Sequence, residues 1–230
     1  MTAEFILPAP ATPSVAVHDS DARFPVRRIF CVGRNYAEHA REMGHDPNRE
    51  PPFFFTKPAD AVVDDGATLP YPPHTVNLHH EAELVVAIGT GGADIEVTDA
   101  LSHVWGYGVG NDLTRRDMQA KAKEMRRPWN MSKGFDNSAV CGPLHPVSNI
   151  GHPTKGRITA HVDGQLRQDG DIADMIWPVA DVIAFLSGVV MLAAGDLIYT
   201  GTPAGVGPIA RHQSCTITIE GLDSVTSTHI

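Results

Sequence analysis

The chain has 230 residues, a length typical of one domain, and its 42% hydrophobic and 20% charged residues are typical of a globular protein. No apolar run reaches the ~20 residues that a membrane-spanning helix needs. The formal net charge of −9 disfavours nucleic acid as a partner, because phosphate binding needs a basic surface, but a few local cations can still bind a small anion.

Cysteine usage and the N-terminal segment bear on the compartment. The chain has three widely spaced cysteines, Cys31, Cys141 and Cys215. Their odd number and wide spacing argue against a disulfide framework or a zinc site. The first residues lack the basic segment of a signal peptide. We therefore expect a cytoplasmic protein without a membrane partner.

Patterns along the chain predict many short strands and few helices. Residues 1–26 are expected to form an arm with little regular structure, and residues 27–230 a single catalytic domain. Predicted strands lie at 27–33, 53–57, 81–89, 105–110, 157–162, 165–168, 196–200 and 215–220, the last of which is expected to end the fold. Predicted helices lie at 35–43, with Asn35 as N-cap, and at 114–125 and 179–192. Glycine and proline punctuate these segments, so a β-rich, mixed α/β fold is favoured over a βαβ series.

Two glutamates in the strand at 81–89 suggest a metal site. Positions two apart on a strand face the same way, so Glu81 and Glu83 direct two carboxylates at one place, where repulsion favours a cation such as Mg²⁺. Asp112, after a glycine-dense strand, is the candidate third ligand. The alternative is a solvated strand face, but the apolar run that follows Glu83 argues for burial.

A histidine and a glutamate three positions apart predict an acid–base pair. His39 and Glu42 share one face of the helix at 35–43, where the carboxylate can orient the imidazole as a general base. The alternatives are an ordinary surface pair and a role for His45 on the following turn.

Several cations and one hydroxyl are candidates for binding an anionic substrate. Lys57 ends an apolar strand and Lys133 lies in a segment suited to a buried loop, so either lysine can hold a carboxylate or an oxyanion, or extend to the surface. Of the adjacent Arg115 and Arg116, only one is expected to face the substrate. Thr202 follows a strand in a restricted turn that either binds an anion or is a plain β-turn.

Taken together, six stretches resemble the fumarylacetoacetate hydrolase family and run in its order across about residues 27–208. They are GRNYAEH at 33–39, FTKP at 55–58, HEAEL at 80–84, NDLTRRD at 111–117, WNMSK at 129–133 and DLIYTGTPAGVG at 196–207. Within the family, FPVRRI at 24–29 and REPPFFF at 49–55 are most similar to fumarylpyruvate hydrolases. One departure is the C-terminal segment 208–230, which lacks the glycine-rich final hairpin expected there.

The resemblance implies a β-sandwich or roll with flanking helices, a homodimer, and Mg²⁺ (or Mn²⁺) bound by Glu81, Glu83 and Asp112. It implies a catalytic dyad of His39 and Glu42 on a mobile lid at residues 38–50, together with a catalytic lysine at position 133. The substrate-binding residues expected from it are Arg34, Lys57, Arg116, Gln119 and Thr202.

The expected reaction is hydrolysis of a carbon–carbon bond in an acylpyruvate, with a small anionic 2-oxo acid as substrate. Fumarylpyruvate, which would give fumarate and pyruvate, fits the closer resemblance. Alternatives on the same site are decarboxylation of oxaloacetate and isomerisation of an unsaturated 2-oxo diacid. A further alternative is an inactive metal-binding interaction protein, against which the intact candidate residues argue.

Overall fold

Short apolar segments separated by glycine- and proline-containing turns form strands along most of the chain. The structure is a computed structural model that describes residues 5–42 and 51–230. The strands are β1 (Ser14–Val17), β2 (Ser20–Pro25), β3 (Arg28–Val32), β4 (Phe54–Lys57), β5 (Val62–Val63), β6 (Ala67–Leu69), β7 (Leu78–His80), β8 (Ala82–Ile88), β9 (Val104–Asp112), β10 (Thr114–Arg115), β11 (Ala139–Cys141), β12 (His145–Pro146), β13 (Arg157–Val162), β14 (Gln165–Asp171), β15 (Asp196–Tyr199), β16 (Gly207–Pro208), β17 (Ser214–Ile219) and β18 (Val225–His229). The helices are α1 (Ala37–Glu42), α2 (Arg116–Glu124), α3 (Asn130–Lys133), α4 (Val147–Ile150) and α5 (Val179–Val189).

The strands form two main sheets. The larger has the order β4–β3–β15–β8–β9–β11–β5, with β12 paired to β9, and the second has the order β14–β13–β17–β18–β6. A small sheet, β10–β7–β16, and the hairpin β1–β2 complete the pairing. This strand-rich arrangement with a few short helices confirms the predicted mixed α/β class.

One face of the large sheet packs against the second sheet. Leu84 and Val86 of β8 are buried in one cluster with Ile158 of β13 and Ile217 of β17, and Ile183 of α5 joins them. Alternate residues of a strand point to opposite faces, so this face uses every second residue of β8.

The opposite face of the large sheet packs against the N-terminal hairpin. Val85 and Tyr199 are buried there with Val15 of β1 and Phe24 of β2. The expectation of an arm with little regular structure was therefore wrong for residues 14–25. Each hairpin strand fully buries only one side chain, so its composition resembles that of a loop. The wider division of the chain at residue 26 stays a prediction.

Two predicted helix boundaries differ from the structure. The first helix begins at Ala37, and the Asn35 side chain does not cap it. Instead, the buried Asn35 amide donates to the carbonyl oxygens of Trp177 (2.9 Å) and Thr200 (2.8 Å) and accepts from the Trp177 N–H (2.7 Å). The segment predicted as helix 114–125 starts with two residues of β10, which pair with β7, a long-range contact that local composition does not encode.

The C-terminal segment closes the second sheet. Strand β17 does not end the fold, because β18 pairs antiparallel to it and then parallel to β6. Val225, Ser227 and His229 alternate inward, and Gly221 adopts a φ of 84° in the turn. The final hairpin therefore exists with a single glycine, and small polar residues replace the glycine-rich pattern that was expected.

Close packing at Gly110 lets β9 lie against its neighbours beneath the candidate site. A Cβ at this position would lie 2.5 Å from Val85 Cγ2 and 2.6 Å from Tyr199 Cε1, and both side chains are fully buried. Neither side chain has free space to move into, so the sheet requires glycine here.

We predict that Gly110→Ala lowers the free energy of unfolding by about 1–3 kcal/mol, the usual cost of overpacking a core. Urea denaturation of the metal-free protein measures this. Gly142→Ala is the matched control, because its Cβ would meet nothing closer than 3.4 Å. Equal stability of the two variants would contradict the packing argument.

Candidate metal centre and active site

Three buried carboxylates converge at the end of strands β8 and β9. Ligand oxygens of Glu81, Glu83 and Asp112 all lie within 4.8 Å of one another. The β8–β9 register pairs Ala82 with Asn111, which places Glu81 opposite Asp112, and the Asp112 N–H donates to the Glu81 carbonyl at 3.0 Å. Glu81 lies in the break between β7 and β8 and not within a strand as predicted, yet its carboxylate shares the place reached by Glu83.

The turn after β15 holds Glu83. The Gly201 N–H donates to Glu83 Oε2 at 2.7 Å. Gly201 has a φ of 96°, and a Cβ there would lie 2.8 Å from Asn35 Cβ, so the turn depends on glycine at this position. The TGTP stretch thus contributes to the centre through its backbone.

Two cations, Lys133 and Arg116, bond to carboxylates of the centre. Lys133 Nζ donates to Glu81 Oε2 and to Asp112 Oδ2, both at 2.7 Å, and Arg116 contacts Glu81 Oε1 at 2.5 Å. Burial opposes the charged form of Lys133, but Asp112 and Glu81 outweigh it and raise its pKa. Among the described residues, Glu83 has no such cation against its side chain; burial, Asp112 and Glu81 raise its pKa well above the usual value.

Lys57 supports the centre from behind and does not line the cleft, contrary to its predicted role in substrate binding. Its buried ammonium lies 2.7 Å from Asp112 Oδ1 but donates to the carbonyl oxygens of Leu113 and Lys133. The buried Asp112 Oδ1 is therefore close to this ammonium but accepts no hydrogen bond of good geometry. A hard divalent cation, which prefers oxygen ligands, fits such a set of carboxylates.

His39 and Glu42 form the predicted pair on α1. His39 Nδ1 lies 3.4 Å from Glu42 Oε2, and the Gly205 N–H holds the Glu42 carboxylate at 3.1 Å. Burial is the largest influence on His39 and lowers its pKa, against the opposing effects of Glu81 and Glu42. The imidazole is thus neutral at pH 7 and able to accept a proton. The predicted lid at 38–50, including His45, lies outside the described residues from position 43 onward.

A narrow cleft connects Glu81 of the centre with His39 of the dyad. It brings together six of the predicted site residues. The residues lining it are Gly33, Arg34, His39, Phe55, Glu81, Arg116, Gln119, Lys123, Trp129 and Lys133. Of the adjacent arginines, Arg116 faces this cleft and Arg115 packs over the Phe135 ring, so only one lines the cleft, although Arg115 belongs to β10 and not to the predicted helix.

Thr202 is buried but lies outside the lining of the cleft, so its predicted contact with substrate is not supported. Its hydroxyl accepts a hydrogen bond from Gln168 Nε2 at 2.8 Å. Gln168 also accepts from His80 Nδ1 (2.9 Å) and from the Ala82 N–H (3.0 Å). Gln168 was not predicted from the sequence, where it is one polar residue among others in β14, a strand whose other side chains are exposed or half-buried.

The matched region of the chain decides its family. The model of the fumarylacetoacetate (FAA) hydrolase C-terminal domain matches residues 28–228. The chain belongs to the fumarylacetoacetate hydrolase family. This family assignment confirms the resemblance found in the sequence, including the β-rich fold.

Solved and curated members of the family show two kinds of similarity. The crystal structure of fumarylpyruvate hydrolase from Pseudomonas aeruginosa in complex with Mn²⁺ and pyruvate is 52% identical, with a TM-score of 0.96 over 99% of each chain. The mitochondrial oxaloacetate decarboxylase of Dictyostelium discoideum is 40% identical over 86% of this chain and 91% of its own length. The oxaloacetate tautomerase YcgM of Escherichia coli is 39% identical over 86% of this chain and 90% of its own length.

Within residues 5–42 and 51–230, no helix combines the length and hydropathy of a membrane span.

We predict that divalent metal binding at this centre strengthens as pH rises and releases a proton from Glu83. Because its folded-state pKa is raised above the unfolded value, Glu83 favours the folded metal-free protein below its unfolded pKa, and this contribution is lost as pH rises through the folded pKa. A bound cation needs the carboxylate, so affinity increases by up to about tenfold per pH unit for one proton.

Calorimetric titration with Mn²⁺ at pH 6, 7 and 8, in buffers of different ionisation enthalpy, measures both effects. Glu83→Gln is expected to abolish tight binding. An affinity that is constant over this pH range, with no proton release, would argue against a protonated Glu83.

Proposed function

We propose that this chain is a Mg²⁺- or Mn²⁺-dependent hydrolase that cleaves a carbon–carbon bond in an acylpyruvate, with fumarylpyruvate giving fumarate and pyruvate. The observation that carries the proposal is that neutral His39 lines the same cleft as Glu81 of the carboxylate centre. That combination suits a reaction needing both a divalent cation and a base for water. The similarity to a fumarylpyruvate hydrolase bound to Mn²⁺ and pyruvate supports it.

Glu81, Glu83 and Asp112 are the residues proposed to hold the ion. All three are buried, and Asp112 Oδ1 lies 2.7 Å from the Lys57 ammonium but accepts no hydrogen bond of good geometry, so it can still serve as a ligand atom. A bound divalent ion supplies Lewis acidity toward the carboxylate and keto oxygens of a 2-oxo acid. The three carboxylates offer only oxygen ligands, and such a ligand set accepts either Mg²⁺ or Mn²⁺.

In the proposed mechanism, His39 and Lys133 act on the reacting atoms. His39 Nδ1 faces Glu42, so Nε2 is the nitrogen that removes a proton from water. The resulting hydroxide attacks the distal carbonyl carbon, and the Lys133 ammonium stabilises the oxyanion. The bond to the pyruvyl carbon then breaks, that carbon takes the electron pair and a proton, and the acyl group leaves as a carboxylate. Water and fumarylpyruvate thus give fumarate and pyruvate.

Decarboxylation or tautomerisation of oxaloacetate is the second candidate. The relatives that carry these names are 39–40% identical to this chain. Both reactions need stabilisation of an enolate but no attacking water, so they require the carboxylate centre and Lys133 more than a hydroxide generated by His39. Isomerisation of an unsaturated 2-oxo diacid and an inactive binding protein remain weaker alternatives.

The proposed partner is a small anionic 2-oxo acid and not nucleic acid, in keeping with the acidic composition. A homodimer and a cytoplasmic location stay predictions from the family resemblance and from cysteine usage. Light scattering of the purified protein measures the first.

We predict that His39→Ala lowers kcat for acylpyruvate hydrolysis by about 10²–10⁴-fold, the usual contribution of a general base. Mn²⁺ affinity should stay within a few-fold, because His39 is not one of the three carboxylate ligands. Glu38→Ala, on the exposed side of the same helix, is the control and should keep its activity. Near-normal turnover by His39→Ala would remove the dyad from the mechanism.

We also predict that the wild-type protein consumes fumarylpyruvate faster than oxaloacetate. Loss of diketo-acid absorbance with and without Mg²⁺ measures the first reaction, and pyruvate release from oxaloacetate measures the second. Efficient decarboxylation with no loss of diketo-acid absorbance would instead favour the second candidate.

A further inference from the structure

Two cations that line the cleft differ from the others in having no acidic side chain against them in the part of the chain that the structure describes. Arg116 and Lys133 are paired with Glu81, whereas Arg34 and Lys123 make no ion pair within residues 5–42 and 51–230. Both are partly buried. A partly buried cation without a counter-ion carries a desolvation cost, which an anion bound in the cleft would offset.

Aromatic rings hold these two cations in place. Arg34 Cζ lies 5.0 Å from the centre of the Phe53 ring, and Lys123 Nζ lies 5.1 Å from the Trp129 ring. The two rings contact each other edge to face, with centroids 5.6 Å apart. A cation over a ring keeps its N–H donors available, unlike a cation bonded to a carboxylate.

Gly33 is part of this arrangement. A Cβ at Gly33 would lie 2.0 Å from Phe53 Cζ, so the ring occupies the space that any other residue would need. The GRNY stretch therefore places its arginine beside a ring that would have to shift if a side chain replaced the hydrogen of Gly33. Gly33, Arg34 and Phe53 therefore pack together as one unit, which differs from a chance approach of two surface side chains.

The positive charges in the cleft also act on one another. Burial lowers the pKa of Lys123, and Arg116 and Arg34 lower it further. Bringing a carboxylate between Arg34 and Lys123 reduces this repulsion. Glu81 offsets only part of this repulsion, because its carboxylate is already bonded to Arg116 and Lys133.

We propose that Arg34 and Lys123 form a subsite for the second, distal carboxylate of the substrate, and that Lys123 thereby selects dicarboxylic over monocarboxylic 2-oxo acids. The proposal rests on the proposed function, in which Glu81, Glu83 and Asp112 would hold the divalent ion that attracts the 2-oxo carboxylate end. The distal end then extends along the cleft toward helix α2 and the rings of Phe53 and Trp129. Lys123 was not among the residues that the sequence predicted.

Lys123→Met tests the subsite, because methionine keeps contact with the Trp129 ring and removes the charge. The readout is calorimetric binding of 2-oxoadipate and 2-oxohexanoate to the Mn²⁺-loaded protein, two ligands of equal chain length that differ in the distal carboxylate. We expect the variant to bind 2-oxoadipate about tenfold or more weakly and 2-oxohexanoate within twofold of wild type. Lys121→Met, exposed on the same helix, is the control and should change neither.

Three results would overturn the subsite. The first is a wild-type protein that binds both ligands equally well, and the second is an unchanged preference for the diacid in Lys123→Met. The third is an equal loss of affinity for both ligands in Lys123→Met, which would indicate a structural role. Lys123→Arg should restore the preference. The ratio of kcat/KM for fumarylpyruvate to that for acetylpyruvate should fall in Lys123→Met. If the wild type cleaves no acylpyruvate, the proposed hydrolysis fails, while the binding measurements still decide the subsite.

Discussion

The buried carboxylates at the ends of β8 and β9 impose the main constraint on this structure. Carboxylates out of water are tolerated only with compensating charge, and here that charge comes from separate elements: Lys57 from β4, Lys133 from α3 and Arg116 from α2. Each of these elements must dock before the centre is neutralised. The stability of the large sheet and the assembly of the site therefore depend on the same contacts, and the short helices that flank the sheet contribute to both.

The cations near the cleft fall into two groups that are held differently. Lys57, Lys133 and Arg116 bond to protein acids or carbonyls, so their positions are fixed by the centre itself. Arg34 and Lys123 stack on aromatic rings. The first group balances the charge of the protein, while the second keeps donors free for a ligand. An acidic chain can thus bind an anion without a basic surface.

Much of the fold and of the centre could be predicted from local patterns. Glu81 and Glu83 stand before an apolar run, and this pattern, together with the family resemblance, located them and Asp112. The role of Lys57 could not be predicted, because the direction of a lysine at a strand end depends on which chain segments surround it. Gln168 was hidden for a similar reason, since a polar residue in a hairpin gives no sign of the long-range hydrogen bonds it makes.

The turn at residues 201–205 links the two halves of the chemistry. The Gly201 N–H holds Glu83, and the Gly205 N–H holds Glu42. The length of this backbone segment therefore helps to set the distance between Glu83 in the carboxylate centre and Glu42 in the dyad. Insertions or deletions within it would change that distance even with all the named side chains intact. This stretch should therefore tolerate substitution of its exposed side chains better than a change in its number of residues.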